Sequence, residues 1–161
     1  MNNALLIAAN SAKLSTNIER RLNKDKIKLM NKKTNDSSLD FPTGSAAVVI
    51  IKNENKILAV SRKGNHKDLG LPGGKIELGE SPTTAACREA VEETGKTICN
   101  PRLMHVAKVG DICVFVFSAD LIGQLSEHIN SEDAKVCWVK PEEICSGTFG
   151  KFNKKHIMQL L

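Results

Sequence analysis

The chain has 161 residues, 41% of them hydrophobic and 25% charged, with a formal net charge of +5. That is ordinary composition for one globular domain, long enough to bury roughly 70% of its unfolded surface. No apolar run approaches the ~20 residues of a membrane span, and residues 4–9 are too short and lack a preceding basic residue, so neither a membrane anchor nor a secretion signal is expected. The charge is uneven. Residues 1–40 hold eight Lys or Arg against four Asp or Glu, and the remainder fifteen against fourteen. A substrate of the main domain must therefore be drawn by local charges, not by a global field. The five cysteines, Cys87, Cys99, Cys113, Cys137 and Cys145, are odd in number and form no CxxC pair. They read as reduced thiols in a cytoplasmic protein, not as a zinc site.

Residues 1–40 read as a basic N-terminal extension, helical or flexible, and residues 41–161 as the main domain. In the extension Leu14, Ile18, Leu22, Ile27 and Leu29 give partial helical spacing, and residues 31–40 form a polar linker. The β-branched run 46–51 (AAVVII) predicts a buried strand. A turn at 53–55 leads to a hairpin partner at 56–61 (KILAVS). Residues 62–70 are polar and predict a loop, followed by the tight element Leu71-Pro72-Gly73-Gly74. Ser81 as cap, Pro82 at the first helical position and Gly95 as terminator predict a helix over 82–94. Strands are expected at 103–109, 112–119 and 135–139, a helix or turn from Pro141, and a closing helix over 153–161.

At about 100° per residue, the 82–94 helix places Ala86, Ala90, Thr94, Cys87 and Val91 on one apolar face. Arg88, Glu89, Glu92 and Glu93 share the other, with Ala85 among them. Like charges three and four residues apart repel by a few tenths of a kcal/mol per pair, so stability alone does not favour this arrangement. Glu80 precedes the helix and can return toward the same face. Gly73-Gly74 removes side chains where backbone approaches something closely. An oxygen-rich site of this kind suits a hard cation such as magnesium, which also binds substrate phosphates.

The segment from Gly74 to Lys96 resembles the Nudix box: Gly74, five residues, Glu80, seven residues, Arg88-Glu89-Ala90-Val91-Glu92-Glu93-Thr94-Gly95. Each Gly, Glu and Arg of the motif is present at its spacing. Lys96 departs from the pattern, which has an aliphatic residue there. The resemblance extends over about residues 44–161. It implies an α+β fold, an α/β/α sandwich around a mixed β-sheet with a loop–helix–loop catalytic motif. It also implies a magnesium-dependent hydrolase of pyrophosphate bonds, with manganese as a possible substitute.

By the same resemblance Glu89, Glu92, Glu93 and the carbonyl of Gly73 look like metal ligands. Arg88 looks like an organiser of the glutamates, and Glu80 like an auxiliary carboxylate. Glu89 is the candidate general base. Glu132 or Asp133, on a later loop, is an alternative base, and Glu132 a possible further ligand. The flanks resemble MutT-type nucleoside triphosphate pyrophosphatases. Arg62 then reads as a phosphate contact, joined by His66 and the Gly74 backbone, and Asn153 as a base-reading amide or a plain helix cap. Trp138 and Phe149 read as core residues or base stackers.

The absence of any tyrosine removes a feature typical of diadenosine-polyphosphate hydrolases. The lack of a proline near Asp111 and Ile112 removes one typical of ADP-ribose pyrophosphatases. The expected partner is a small nucleotide, standard or oxidised. The alternatives are a nucleotide sugar, a dinucleotide or capped RNA, the last bound through the basic extension, and a non-catalytic nucleotide-binding module. The sequence does not specify an oligomeric state.

Overall fold

The computed structural model describes residues 41–123, 128–130 (backbone only) and 134–161. The basic extension, and Glu132 with Asp133, lie outside the described residues. Ala46–Asn53 (β1) and Lys56–Arg62 (β2) form the expected hairpin, with Glu54 at φ 52° in its turn. Further strands are Asn65–Gly70 (β3), Gly73–Lys75 (β4), Ile98–Val109 (β5), Ile112–Leu121 (β6), His128–Asn130 (β7) and Lys135–Val139 (β8). Pro82–Thr94 is the single long helix among the described residues (α1).

The eight strands run in the order β5-β6-β1-β2-β8-β7, with β3 added to β2 and β4 to β1. The sheet is mixed, because β1 pairs parallel to β6 but antiparallel to β2 and β4. The β-branched run explains this placement. A strand buried on both faces needs apolar residues throughout, not alternation, and β1 divides its side chains between two cores. Ala47, Val49 and Ile51 join Leu58, Val60, Phe115 and Phe117 under α1, while Ile50 joins Ile57, Ala59 and Val116 on the opposite face. That second face is covered by a 3₁₀ turn at Pro141–Cys145 and a helical segment that is α over Gly150–Phe152, π over Asn153–Ile157 and 3₁₀ over Met158–Leu160. The result is the expected sandwich, helix on sheet on helical segment.

Two expectations change. Residues 62–70 are not a loop throughout. From Asn65 the chain is an edge strand on β2, with exposed His66 and Lys67 on its outer stretch and Asp68 and Gly70 buried. A polar edge strand does not look like a strand in sequence because water, not core, faces much of it. The strand expected at 103–109 begins at Ile98, running past Pro101 by register shifts at Cys99/Arg102 and Leu103/His105. No described helix is long and apolar enough to cross a membrane. The five cysteines are free thiols.

Candidate active site

The ends of α1 form as the sequence dictates. Ser81 caps it, its hydroxyl accepting from the Thr84 N–H at 3.1 Å, Pro82 occupies the first turn, and Gly95 closes it at φ 66° with its N–H donating to Val91 O. The helix is rotated from its simple projection. Ala85, placed among the charges by the wheel, is fully buried, as are Ala86 and Ala90, whereas Val91 is 45% exposed. The cause lies beneath the helix. α1 packs on β1 and on β4, two of whose three residues are glycine, so its buried arc takes in Ala85 and the stems of Glu89 and Glu93. The carboxylates thus sit at the seam between helix and sheet.

Gly73 and Gly74 make that seam possible. A Cβ on Gly73 would meet Ala47 O at 2.3 Å, and one on Gly74 would meet Glu89 Oε1 at the same distance. The Gly73 N–H donates to Glu93 Oε2 at 2.8 Å. β4 therefore lies flat against β1 on one side and receives two carboxylates on the other.

Arg88 organises the rest. Its Nε and Nη2 donate to the two oxygens of Glu80 at 3.0 and 2.9 Å. Nη1 donates to Glu89 Oε1 at 2.9 Å and to Glu92 Oε2 at 3.2 Å. Nη2 also donates to Lys75 O at 2.9 Å. These contacts match the five donors of a guanidinium, so Arg88 is engaged in positioning glutamates and has no donor left for a phosphate. Its own pKa is pushed further up, chiefly by the bonds to Glu80. The carboxyl of Glu80 is held below its usual range by the same bonds, aided by the N–H of Glu77 at 3.0 Å.

Glu93 is left outside this neutralisation. Its pKa is pushed up to about 7, first by burial and then by the charges of Glu89 and Glu92, against the opposing pull of the Gly73 N–H. A buried carboxylate beside two others calls for positive charge. Among the described residues, no three His, Cys, Asp or Glu already converge as a preformed metal cage. Magnesium typically takes one or two protein carboxylates and fills its octahedron with water and substrate phosphate. Glu89, Glu92, Glu93 and the Gly73 backbone fit such an ion by donor type and by this uncompensated charge.

The remaining sequence-predicted residues separate into two places. Arg62 ends β2, its guanidinium 4.9 Å from the centre of the Phe149 ring, and His66 is exposed on β3. Asn153 lies in the interior. It is 3% exposed, inside the closing helical segment, and its Nδ2 donates to Ile144 O at 2.7 Å. That bond ties the closing segment to the 3₁₀ turn, and Asn153 lies within the segment and does not cap its start. Trp138 is half-buried against the α1-side core, whereas Phe149 is 48% exposed. Asp68, which sequence reasoning passed over, is buried and accepts from the N–H of Thr148 at 3.0 Å and from its hydroxyl at 2.5 Å. A lone aspartate in a polar stretch carries no sequence signal for such a contact 80 residues away.

With this geometry in view, comparison with known proteins is informative. A family model described as NUDIX domain matches residues 42–161. The chain is 46% identical over 55 residues to the 8-oxo-dGTP diphosphatase of Escherichia coli strain K12, covering 32% of this chain and 43% of that protein. It is 37% identical over 94 residues to an ADP-ribose pyrophosphatase of Methanocaldococcus jannaschii, covering 53% and 54%. Among solved structures, the MutT protein of Bacillus halodurans superposes with a TM-score of 0.56 at 25% identity, covering 71% of this chain and 82% of that one. The chain spans about two fifths to two thirds of the length of the first curated relatives that it matches.

Proposed function

The chain belongs to the Nudix family, and from that premise we propose that it is a magnesium-dependent pyrophosphohydrolase acting on a nucleoside triphosphate, standard or oxidised, to release a nucleoside monophosphate and pyrophosphate. The observation that carries the reading is the carboxylate group gathered by Arg88 on α1, with Glu93 seated on Gly73 and left uncompensated. Glu89, Glu92, Glu93 and the Gly73 carbonyl hold the metal. Bound there, magnesium neutralises phosphate charge and lowers the pKa of a water. Glu89, held by Arg88 and lying over Gly74, takes a proton from the attacking water. The water oxygen bonds to phosphorus, the bridging P–O bond breaks, and the bridging oxygen leaves with its electron pair on the departing product. Arg88 and Glu80 keep the glutamates in register. Arg62 and His66 contact the substrate.

A second reading, ADP-ribose as substrate, is favoured by the likeness to a relative bearing that name. The two readings part on one measurement. Under the first, initial rates over a magnesium panel of dGTP, 8-oxo-dGTP, ATP, ADP-ribose, dinucleotides and capped RNA rank the triphosphates first by kcat/KM. Glu93→Gln lowers kcat by more than about 100-fold, beyond the loss expected for residues that only support a metal ligand, while the fold persists by circular dichroism. Activity that survives both this change and EDTA sinks the metal mechanism. A top rank for ADP-ribose selects the second reading.

A further inference from the structure

We propose that His105 and His156 form an acid-sensitive latch that ties the closing helical segment to edge strand β5. The latch is independent of the catalytic reading and uses groups that reading leaves idle. Its origin is a change of face along β5. Leu103 and Val106 both lie with the α1-side core, opposite Phe117 and Phe115, although they stand three apart in a strand of period two. The register shift between Leu103 and His105 accounts for this. A bulge adds one residue and turns those after it to the other face. His105 is thereby set opposite Val116, a member of the second core.

The closing segment meets it there with His156. That residue lies in the π turn Asn153–Ile157, next to the buried Ile157. Its ring rests against Phe152, with centres 5.0 Å apart. His105 Nε2 and His156 Nδ1 are 3.2 Å apart, while the ring centres are 5.3 Å apart and the planes 24° from parallel. So long a separation of centres for so short a separation of nitrogens puts both nitrogens near the line of centres. The rings therefore meet end to end, as a shared N–H requires, and not face to face. A helical segment this short holds its shape by packing and ties, not by propensity.

The same geometry makes the tie depend on protonation. In the neutral pair one ring donates and the other accepts. A first proton can add to the outer nitrogen of the donor ring and leave the bond intact. A second must take the accepting nitrogen, which sets N–H against N–H and charge against charge. The surroundings do not relieve this. Val116 stands opposite His105 on β6, Phe152 packs on His156, and the charged group acting on the pair from outside is the cation Lys155. No described carboxylate acts on either ring. Burial holds the pKa of both rings below the ordinary 6.5, aided by His156 acting on His105 and by Lys155 acting on His156. The stabilisation from the neutral pair is thus present above 6.5 and is lost as pH falls through the lowered values. The His105 row runs through Val116 and Val48 to Gly73, three strand spacings or roughly 14 Å away, so the pair lies clear of the carboxylate site.

Hydrogen exchange and histidine nitrogen resonances, read from pH 7.5 to 4.5, test this. Glu93→Gln is the parent protein, because Glu93 titrates in the same range. The two rings are expected to titrate in coupled steps, the second below 6.5. Across the second step, amide protection of residues 154–161, corrected for intrinsic exchange rates, falls about tenfold, the upper end of what one hydrogen bond supplies. In His156→Gln that step in exchange disappears, and His105 titrates closer to 6.5. Protection without a step in the parent, or a step that persists in His156→Gln, overturns the inference. So does independent titration of the two rings at 6.5, a result that needs no variant at the pair.

Discussion

Two carboxylates flanking the same stretch of backbone behave in opposite ways. Glu93 on α1 and Asp68 on β3 each accept from a backbone N–H, that of Gly73 at 2.8 Å and that of Thr148 at 3.0 Å. Yet the Glu93 pKa is pushed up to about 7, while that of Asp68 is held below its ordinary value by the hydroxyl and N–H of Thr148 and the charge of Arg62. One backbone donor does not decide ionisation. The surroundings do, and here they are burial followed by two like charges in one case and donors with a cation in the other. The comparison separates a carboxylate pressed by burial and like charge from one already satisfied by its donors, and so separates chemistry from anchoring.

A matched pair of glycine substitutions strains that comparison hardest. Gly74 and Gly147 each leave space for a carboxylate oxygen that a Cβ would meet at 2.3 Å, Glu89 Oε1 and Asp68 Oδ1 respectively. Gly74→Ala must expel Glu89 from its contact with Arg88. The expected loss in kcat is on the order of 100-fold, with destabilisation of about 1–3 kcal/mol from overpacking. Gly147→Ala adds backbone strain at a positive φ and is expected to raise KM for a nucleotide several-fold with kcat within about threefold. Steady-state kinetics and thermal melts on both proteins check this. Equal loss of kcat in the two would erase the distinction between chemical and anchoring clusters.

How far the sequence reveals these two regions differs for a physical reason. The bounds of α1 follow from Ser81, Pro82 and Gly95, because caps are local interactions within one turn. The charged group at Arg88 is legible for the same reason, since its members recur at helical spacing. Ala85 and Val91 show where that logic ends. A helical wheel gives relative angles, but which arc is buried depends on the partner surface, and a glycine strand allows carboxylate stems to be buried. β3, Asp68 and Asn153 were not readable, since each owes its state to a partner far along the chain. Asp68 meets Thr148, Asn153 meets the Ile144 carbonyl, and β3 exists only as an edge on β2. Polar residues that are satisfied at long range look like loop.

A smaller effect follows from the Glu93 side of the comparison. In metal-free protein its folded pKa of about 7 exceeds the ordinary 4.5, so the native state binds more protons than the unfolded state between those values. Stability therefore falls as pH rises from about 4.5 to 7, by roughly 2–3 kcal/mol for this group alone. Magnesium, by binding the ionised carboxylates of the native state, opposes the loss. Melting temperature is expected to rise on adding magnesium, and the increment to grow between pH 5 and pH 8. An increment that is flat with pH would mean that Glu93 does not meet the ion.

Asp68 supplies the converse test and the smallest change. Its folded pKa is lowered, so its contribution is present above the unfolded value and is lost as pH falls through the folded one. The largest cause is the Thr148 hydroxyl. Thr148→Val removes that donor but keeps the backbone N–H and nearly the same volume. The Asp68 pKa then moves back toward 3.8, and acid unfolding followed by circular dichroism begins at a higher pH. The two titrations have opposite signs although both groups are carboxylates on backbone donors. An acid limb identical to wild type would show that Thr148 does not hold Asp68 ionised, and the contrast with Glu93 would then reduce to burial alone.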